Sequence, residues 1–442
     1  MSADRPINAD VPAPDSPVPT PPETPKPPRK RQRRRRQPVP GALKAIAALV
    51  VVALVFIVAA VLGGSGGPQG DSGSAGPAPT PAPAPGGEAP PSQSAEELGY
   101  PSFATGNTTR VGGSDATANA AAVALAVYPS TTPAQQPAAV VLASEDDWAG
   151  AIAASVLMSA PVRAPLLFAT ADGLPDATAE ALDALDPQGD KSTGGAAAFA
   201  IGDVAAPEGA DRVRSVKAGD AATTAAAIAK LRDRLFGSPP AHFLLAPSGS
   251  PGFAAPAAAW AARSGDPVLF AAGDRLPAPT LATLKRHKKV PVYVLGPSSA
   301  ISSQAVREVA KVGNEVHRVS GEDAVANAIA FARYADGGFG WNVNDPGHGF
   351  VLARDGSPLD AAAAAPLSAS GTWGPLLLTD SATSLPAPLR EYFLDVKPGY
   401  TTNPTRAFYN HVWVIGDQEA IDSSQQAEVN ELAELAKIGG GE

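Results

Sequence analysis

Three closely similar phrases set the terms for this fold: PLLFATADGLPDATAEAL at 165–182, PVLFAAGDRLPAPTLATL at 267–284 and PLLLTDSATSLPAPL at 375–389. A fixed internal period governs architecture before any single motif does. The repetition extends well beyond these phrases. Each unit opens on a glycine, an aspartate and an alanine-rich stretch: VGGSDATANAAAVALAVY (111–128), VKAGDAATTAAAIAKL (216–231) and VSGEDAVANAIAFARY (319–334). Asp115, Asp220 and Asp323 stand 105 and 103 residues apart. After each opening come a short apolar strand (VVLA 140–143, FLLA 243–246, FVLA 350–353), an alanine-rich helical stretch and the PLLF-type strand. A Leu-Pro pair then begins another helix, at 174–175, 276–277 and 385–386, where a first-turn proline gives up no needed N–H. A last strand runs into glycine: FAIGD (199–203), YVLGP (293–297), WVIGD (413–417).

Strands alternating with helices, and apolar at nearly every position, predict parallel sheets covered on both faces. A period near a hundred residues is too long for a solenoid repeat. The expectation is an α/β fold of three tandem units, with boundaries at 105–207, 208–315 and 316–438. The 44% hydrophobic content is enough for such cores. The absence of cysteine excludes disulfides and thiolate metal sites.

What precedes the repeats is different in kind. Residues 1–40 are rich in proline and charge without apolar periodicity, so they read as a disordered tail. Its basic run, RKRQRRRRQ (29–37), directly precedes AIAALVVVALVFIVAAVL (45–62). That apolar run is long enough for a membrane helix, placed at 41–63. Basic residues on its N-terminal side predict a cytoplasmic N-terminus and an extracellular C-terminal region on a single-pass anchor. The setting points to anionic headgroups rather than nucleic acid as the partner of the arginines. The run is long for a signal-peptide core and starts late, which favours an uncleaved anchor. Residues 64–104 then form a Gly/Ser- and Pro-rich linker, which drawn out reaches on the order of 100 Å at ~3.1 Å per residue. Residues 1–44 hold ten Lys/Arg against four Asp/Glu, while the remainder holds 24 against 39, so a basic head joins an acidic body.

The units resemble the bacterial cell wall-binding repeat type 2 family, which commonly occurs as three tandem copies. Its pattern is an Arg-x-x-Gly-x-Asp opening, a Pro-Asp-Ala-Leu-like helix start, a Pro-Ile-Leu-Leu strand, a Leu-Pro helix and an Ile-Gly-Gly strand end. The third copy matches best, with Arg318, Gly321, Asp323, Pro358-Leu359-Asp360-Ala361 and Pro375-Leu376-Leu377-Leu378. The first keeps Arg110, Gly113, Asp115 and Pro165-Leu166-Leu167-Phe168, with Gly150 in place of the helix aspartate. The second keeps Asp220 and Pro267-Val268-Leu269-Phe270, its opening glycine displaced to Gly219. Ala116, Ala221 and Ala324 replace an arginine common after the opening aspartate, and Asp203, Pro297 and Asp417 replace the second strand-end glycine. The resemblance covers about 105–438. It implies Rossmann-like or flavodoxin-like units around a pseudo-threefold axis, and non-covalent attachment to an anionic cell-wall polymer or peptidoglycan-associated glycan. It also implies an anchoring role for the strand motif (Leu166, Leu167, Val268, Leu269, Leu376, Leu377), although such apolar strands are first of all packing elements.

Residue by residue, the chemistry reads as structural. Asp115, Asp220 and Asp323 precede alanine-rich helices and suit N-caps, with Arg110 and Arg318 expected to pair with them. His242, His287, His317, His348 and His411 lack metal-ligand spacing, and no G-x-S-x-G, phosphate-binding loop or G-x-G-x-x-G lies between a strand and a helix. No cofactor, metal or catalytic residue is therefore expected. An enzyme would need acids gathered between copies, such as Asp146, Asp147 and Asp360, and these read more simply as solvated caps. KRHKK (285–289) is the one concentrated basic patch beyond the anchor, so Lys285, Arg286, Lys288 and Lys289 are the candidate polymer contacts. Their simpler role is to offset a helix macrodipole. The leading expectation is a membrane-tethered, non-enzymatic wall-binding protein. The alternative is an envelope scaffold that docks another protein, with polymer binding lost.

Overall fold

Apolar strands bounded by glycine turns, and alanine-rich helices between them, assemble into three parallel sheets in this computed structural model, which describes residues 103–104, 106–207, 212–217, 219–370 and 372–438. The tail, the apolar run 45–62 and the linker as far as residue 102 lie outside the described residues, whereas Phe103–Ala104, expected at the linker's end, forms a strand. Among the described residues no helix is long and apolar enough to cross a membrane.

The first sheet runs Leu166–Ala169, Val140–Ser144, Ala198–Ile201, Val213–Val216 in spatial order. The second runs Val268–Ala271, Phe243–Pro247, Val292–Leu295, Val316–Val319. The third runs Leu376–Thr379, Gly349–Arg354, His411–Ile415 and then Thr108–Val111. All three share one strand order and are parallel throughout, apart from the antiparallel Phe103–Ala104 on the rim of the third.

The sheets are out of phase with the sequence period. The opening segment of each repeat is the fourth strand of another unit's sheet: Val213–Val216 and Val316–Val319 complete the preceding sheet, and Thr108–Val111 completes the third, with Val412 opposite Thr108 and Ile415 opposite Val111. The expected boundaries at 208 and 316 therefore cut through sheets. A parallel pair needs a crossover connection. Helices between successive strands of one sheet supply it, such as Trp148–Ala154 and Asp176–Leu185 in the first, whereas Ala116–Val127, Ala221–Phe236 and Ala324–Arg333 run from one sheet to the next.

Three alanine-rich helical stretches, one after each sheet's second strand in space, meet at the centre. These are Trp148–Met158, Pro251–Ser264 and Pro358–Ala369, and each touches the other two. Ala151, Ala258 and Ala363 have no solvent exposure. Helices apolar on all sides belong in a core, and methyl side chains let their axes approach closely. One apolar cluster runs through all three units, from Ile152 and Phe168 through Phe270 and Leu295 to Ala362 and Ala365.

The strand motif lies on the edge of every sheet, yet Leu166, Leu167, Val268, Leu269, Leu376 and Leu377 are all buried. Each edge is covered by the helix that enters its own sheet from the unit before and by that unit's central helix. Leu166–Ala169 meets Ala116–Val127 and Pro358–Ala369, Val268–Ala271 meets Ala221–Phe236 and Trp148–Ala154, and Leu376–Thr379 meets Ala324–Arg333 and Pro256–Ser264. Covering an edge strand hides its unpaired backbone from other chains. Pro175, Pro277 and Pro386 sit at the N-cap, one residue ahead of the expected first turn. In the first unit 11 residues, 202–212, separate the third and fourth strands, against 20 in the second, 296–315, which hold the helix Ser303–Val312.

Replacing Ala258 by leucine overfills the helix junction. We expect urea unfolding to show a loss of about 1–3 kcal/mol, while Ala282→Leu on an exposed helix face stays within about 0.5 kcal/mol of the parent.

Candidate functional site

The repeated polar residues collect where strands give way to helices, at the joints between units. Asp115, Asp220 and Asp323 each cap the helix they precede, accepting from the N–H of Ala118 at 2.8 Å, Thr223 at 2.8 Å and Ala326 at 2.7 Å. Such a carboxylate answers one orphan helix donor and the positive end of the dipole together.

Arg110 and Arg318 do not pair with these acids. Arg110 is buried and donates to the carbonyls of Gly416 (2.8 Å), Asp417 (2.6 Å) and Ile421 (2.5 Å), and to Gln426 Oε1 from both Nε and Nη2. Arg318 repeats this in the second sheet, donating to Gly296 O at 2.5 Å and Ile301 O at 2.7 Å. The reason is positional. Each arginine sits on the fourth strand, beside the glycine turn that ends the third, and a planar five-donor fork suits converging carbonyls. The aspartates are already engaged by helix N–H groups. Burial lowers the Arg110 pKa, with Asp417 and Asp422 acting in the opposite direction. The equivalent position in the first sheet is Ser215, so that turn, at Gly202, has no such clamp.

Asn119 and Asn327 are the site residues that motif reading missed. Asn119 Oδ1 accepts from Gly113 N at 2.8 Å, and its amide donates to Asp360 Oδ1 at 2.9 Å, tying the third unit's central helix to the helix that enters the first. Asn327 repeats the first contact, with Gly321 N at 3.3 Å, and donates to Phe253 O at 3.5 Å, because Phe253 occupies the place of Asp360 in the second unit. The signal was present: both asparagines stand four residues after a capping aspartate, and Thr224 holds that place in the second repeat.

Asp360 is the one buried carboxyl in this arrangement. Burial raises its pKa, the Asn119 hydrogen bond opposes the rise, and the carboxylates of Asp115 and Asp417 add to it. The acids that act on Asp360 are thus Asp115 and Asp417 rather than Asp146 or Asp147. Asp147 caps its own helix through Gly150 N at 2.8 Å. Among the described residues no group of three or more His, Asp or Glu side chains is placed to hold a metal ion. Four histidines face carboxylates: His242 faces Asp266, His287 faces Asp233, His317 faces Glu315 and Asp336, and His348 faces Asp345. His411 meets Thr109 Oγ1 at 3.0 Å, and burial lowers its pKa.

The basic cluster lies elsewhere. Lys285 and Arg286 end the helix Ala278–Arg286, Lys288 and Lys289 follow it, and all four are exposed. His287 between them is held by Asp233 at 2.9 Å.

Two outcomes test this geometry. Arg110→Ala strands several buried carbonyls, and we expect a loss of roughly 3 kcal/mol in denaturant unfolding, with a smaller loss for Arg318→Ala, which breaks two bonds rather than five. For Asp360 the folded-state pKa lies above the ordinary 3.8, so the folded chain holds this proton more tightly than the unfolded chain. Its contribution to stability is greatest below the ordinary value and falls as pH rises through the raised one. Asp360→Asn keeps an acceptor for Asn119 and removes the buried charge. We expect it to equal or exceed the parent's stability at neutral pH, with the difference shrinking as the pH is lowered towards 3.8.

Against known proteins, residues 318–426 match the family model for cell wall binding domain 2. That match starts at Arg318 and ends at Gln426, the third-sheet counterpart of the sequence period rather than of the sheet. No curated protein matches this chain. Among solved structures, Cwp6 from Clostridium difficile is similar in fold at 20% identity and a TM-score of 0.60, with 74% of this chain and 48% of that one covered. Cwp8 from Clostridium difficile is similar at 19% identity and a TM-score of 0.55, with 74% and 52% covered. This chain therefore spans about half the length of those two. The third repeat carries the cell wall binding domain 2 pattern, and the described residues share the mixed α/β, parallel-sheet fold of both Cwp structures.

Proposed function

We propose that this chain is a membrane-tethered, non-enzymatic protein whose three α/β units grip an anionic cell-wall polymer or peptidoglycan-associated glycan. The observation that carries the reading is the family match over 318–426, joined to a strand order that recurs in all three sheets. The first and second sheets are, on this reading, divergent copies of the same wall-binding unit. The apolar run 45–62 serves as a single-pass anchor, with the N-terminus cytoplasmic and the repeats extracellular, and the linker carries them outward.

Three modest sites on one chain raise affinity through effective concentration, without any one of them being tight. The exposed Lys285, Arg286, Lys288 and Lys289 supply local positive charge on a body that is otherwise acidic. The repeated polar residues at the joints are engaged in caps, turns and helix-to-helix bonds, which is what a binding scaffold needs and a catalytic centre does not.

The test is co-sedimentation of the purified full-length chain, in mild detergent, with isolated cell walls at physiological salt. We expect the protein in the pellet and its release as salt rises. A chain that stays in the supernatant at every salt concentration, and instead captures an envelope protein from wall-free membranes, moves the reading to the scaffold alternative.

A further inference from the structure

The polar joints lie at the carboxyl ends of the strands. The opposite end of the third sheet carries a different kind of surface. Just before each PLLF-type strand, two residues ahead of its proline, the backbone is left-handed in all three units: φ is +54° at Arg163, +78° at Gly265 and +57° at Trp373. Glycine is the ordinary occupant of such a position, and a bulky side chain there is a genuine outlier. In the third unit the occupant is a tryptophan that is 52% exposed. Burial therefore repays little of the backbone cost, and an outlier of this kind points towards function.

The backbone around Trp373 is pinned. A Cβ on Gly374 would stand 1.7 Å from the Gly349 carbonyl oxygen, and one on Gly349 would stand 1.7 Å from Thr372 Oγ1. Arg263, at the end of the second unit's central helix, sits beside the indole, its guanidinium carbon 5.8 Å from the Trp373 ring and 5.6 Å from that of Trp341. Trp341 is half-buried and braced edge-on by Trp260 at 5.3 Å. Arg263 is exposed and has no carboxylate partner among the described residues, so its N–H fork is free for an anion while its face rests on indole. Asp345, an acid on the same rim, is occupied by His348 at 3.1 Å.

The rim continues. Phe408 and Tyr409 precede the strand His411–Ile415 as Trp373 precedes Leu376–Thr379, and they are 70% and 57% exposed. With Gly349–Arg354 between those two strands, their entries lie about 10 Å apart at the usual strand spacing. That distance is on the scale of two linked sugar rings. Scattered exposed apolar residues mean nothing by themselves, but exposed aromatics at the entries of two strands of one sheet, with an unpaired cation beside one of them, do.

We propose that Trp373, Trp341 and Arg263 form a saccharide-binding platform, the indoles stacking on the C–H face of a pyranose ring and Arg263 taking a carboxylate or phosphate substituent of the same glycan. Phe408 and Tyr409 extend the platform for a second ring. This rests on the wall-polymer reading above and names a subsite for it, at the amino-terminal rim of the third sheet.

The experiment uses the purified full-length chain, its Trp373→Gly and Arg263→Gln variants, and tryptophan fluorescence as readout. The probes are oligogalacturonate for the carboxylate arm, a phosphodiester-linked teichoic acid for the phosphate arm, and anionic lipid vesicles as a non-saccharide control. We expect at least one acidic glycan to shift the parent's emission and each variant to weaken that binding tenfold or more. Trp373→Gly should keep or raise the melting temperature, since Gly265 already occupies the matching position in the second unit. A normal melt with lost binding separates a binding role from a packing role. Three results overturn the platform: neither glycan shifts the parent's emission, the shift persists in Trp373→Gly, or vesicles alone produce it. If glycan binding depends on Trp373 but the parent fails to sediment with walls, the platform stands and the wall reading falls. If walls still bind Trp373→Gly at the parent's strength, the wall reading stands and the platform falls.

Discussion

Each of the three large sheets among the described residues is completed by a strand that the sequence period assigns to another repeat. That borrowed strand is the constraint on which the rest depends. Thr108–Val111, near the start of the described chain, lies between no two of its sequence neighbours and instead closes the third sheet against His411–Ile415. The first sheet draws its strands from 140–216 and the second from 243–319, so only the third takes a strand from the far end of the described chain. Arg110 fastens the same closure, reaching from that strand to carbonyls at 416, 417 and 421. A contact spanning some three hundred residues is slow to find during folding, because loop-closure entropy comes before any reward.

The alanine content follows from the same plan. Three helices that meet at one centre must each be apolar on several faces and thin enough to approach two partners at once. Methyl groups meet both demands, and Ala361–Ala365 forms an unbroken run of buried residues on the third of these helices. The joints between units are correspondingly polar and specific. Asn119 with Asp360 locks one of them, Asn327 with the Phe253 carbonyl locks the next, and Thr224 reaches only Gly219 O at 3.5 Å in the third. The three units differ at these contacts while sharing one strand order.

That division of labour bears on where a ligand meets the molecule. The recurring residues, capping aspartates and buried strand residues in all three units and turn-clamping arginines in two, are committed to holding the scaffold. On the proposed reading, recognition falls to residues that differ between units: an exposed basic stretch on the second, and exposed aromatics with an uncommitted arginine at the joint of the second and third.

Much was legible from the chain alone. Alternating apolar strands and alanine-rich helices determined the α/β class, and aspartates ahead of those helices determined where they begin, because both depend on local geometry. Arg110 was misread as a partner for Asp115, five residues away, since linear proximity says nothing about a strand's neighbours in its sheet. The asparagines were missed because their bonds join segments 241 and 74 residues apart. The sequence by itself determined the elements, their order and their threefold recurrence. Only the tertiary structure decided which sheet each opening strand completes, which joint each amide locks and that Trp373 faces solvent beside Arg263, because those outcomes depend on packing between segments with no local signature in common.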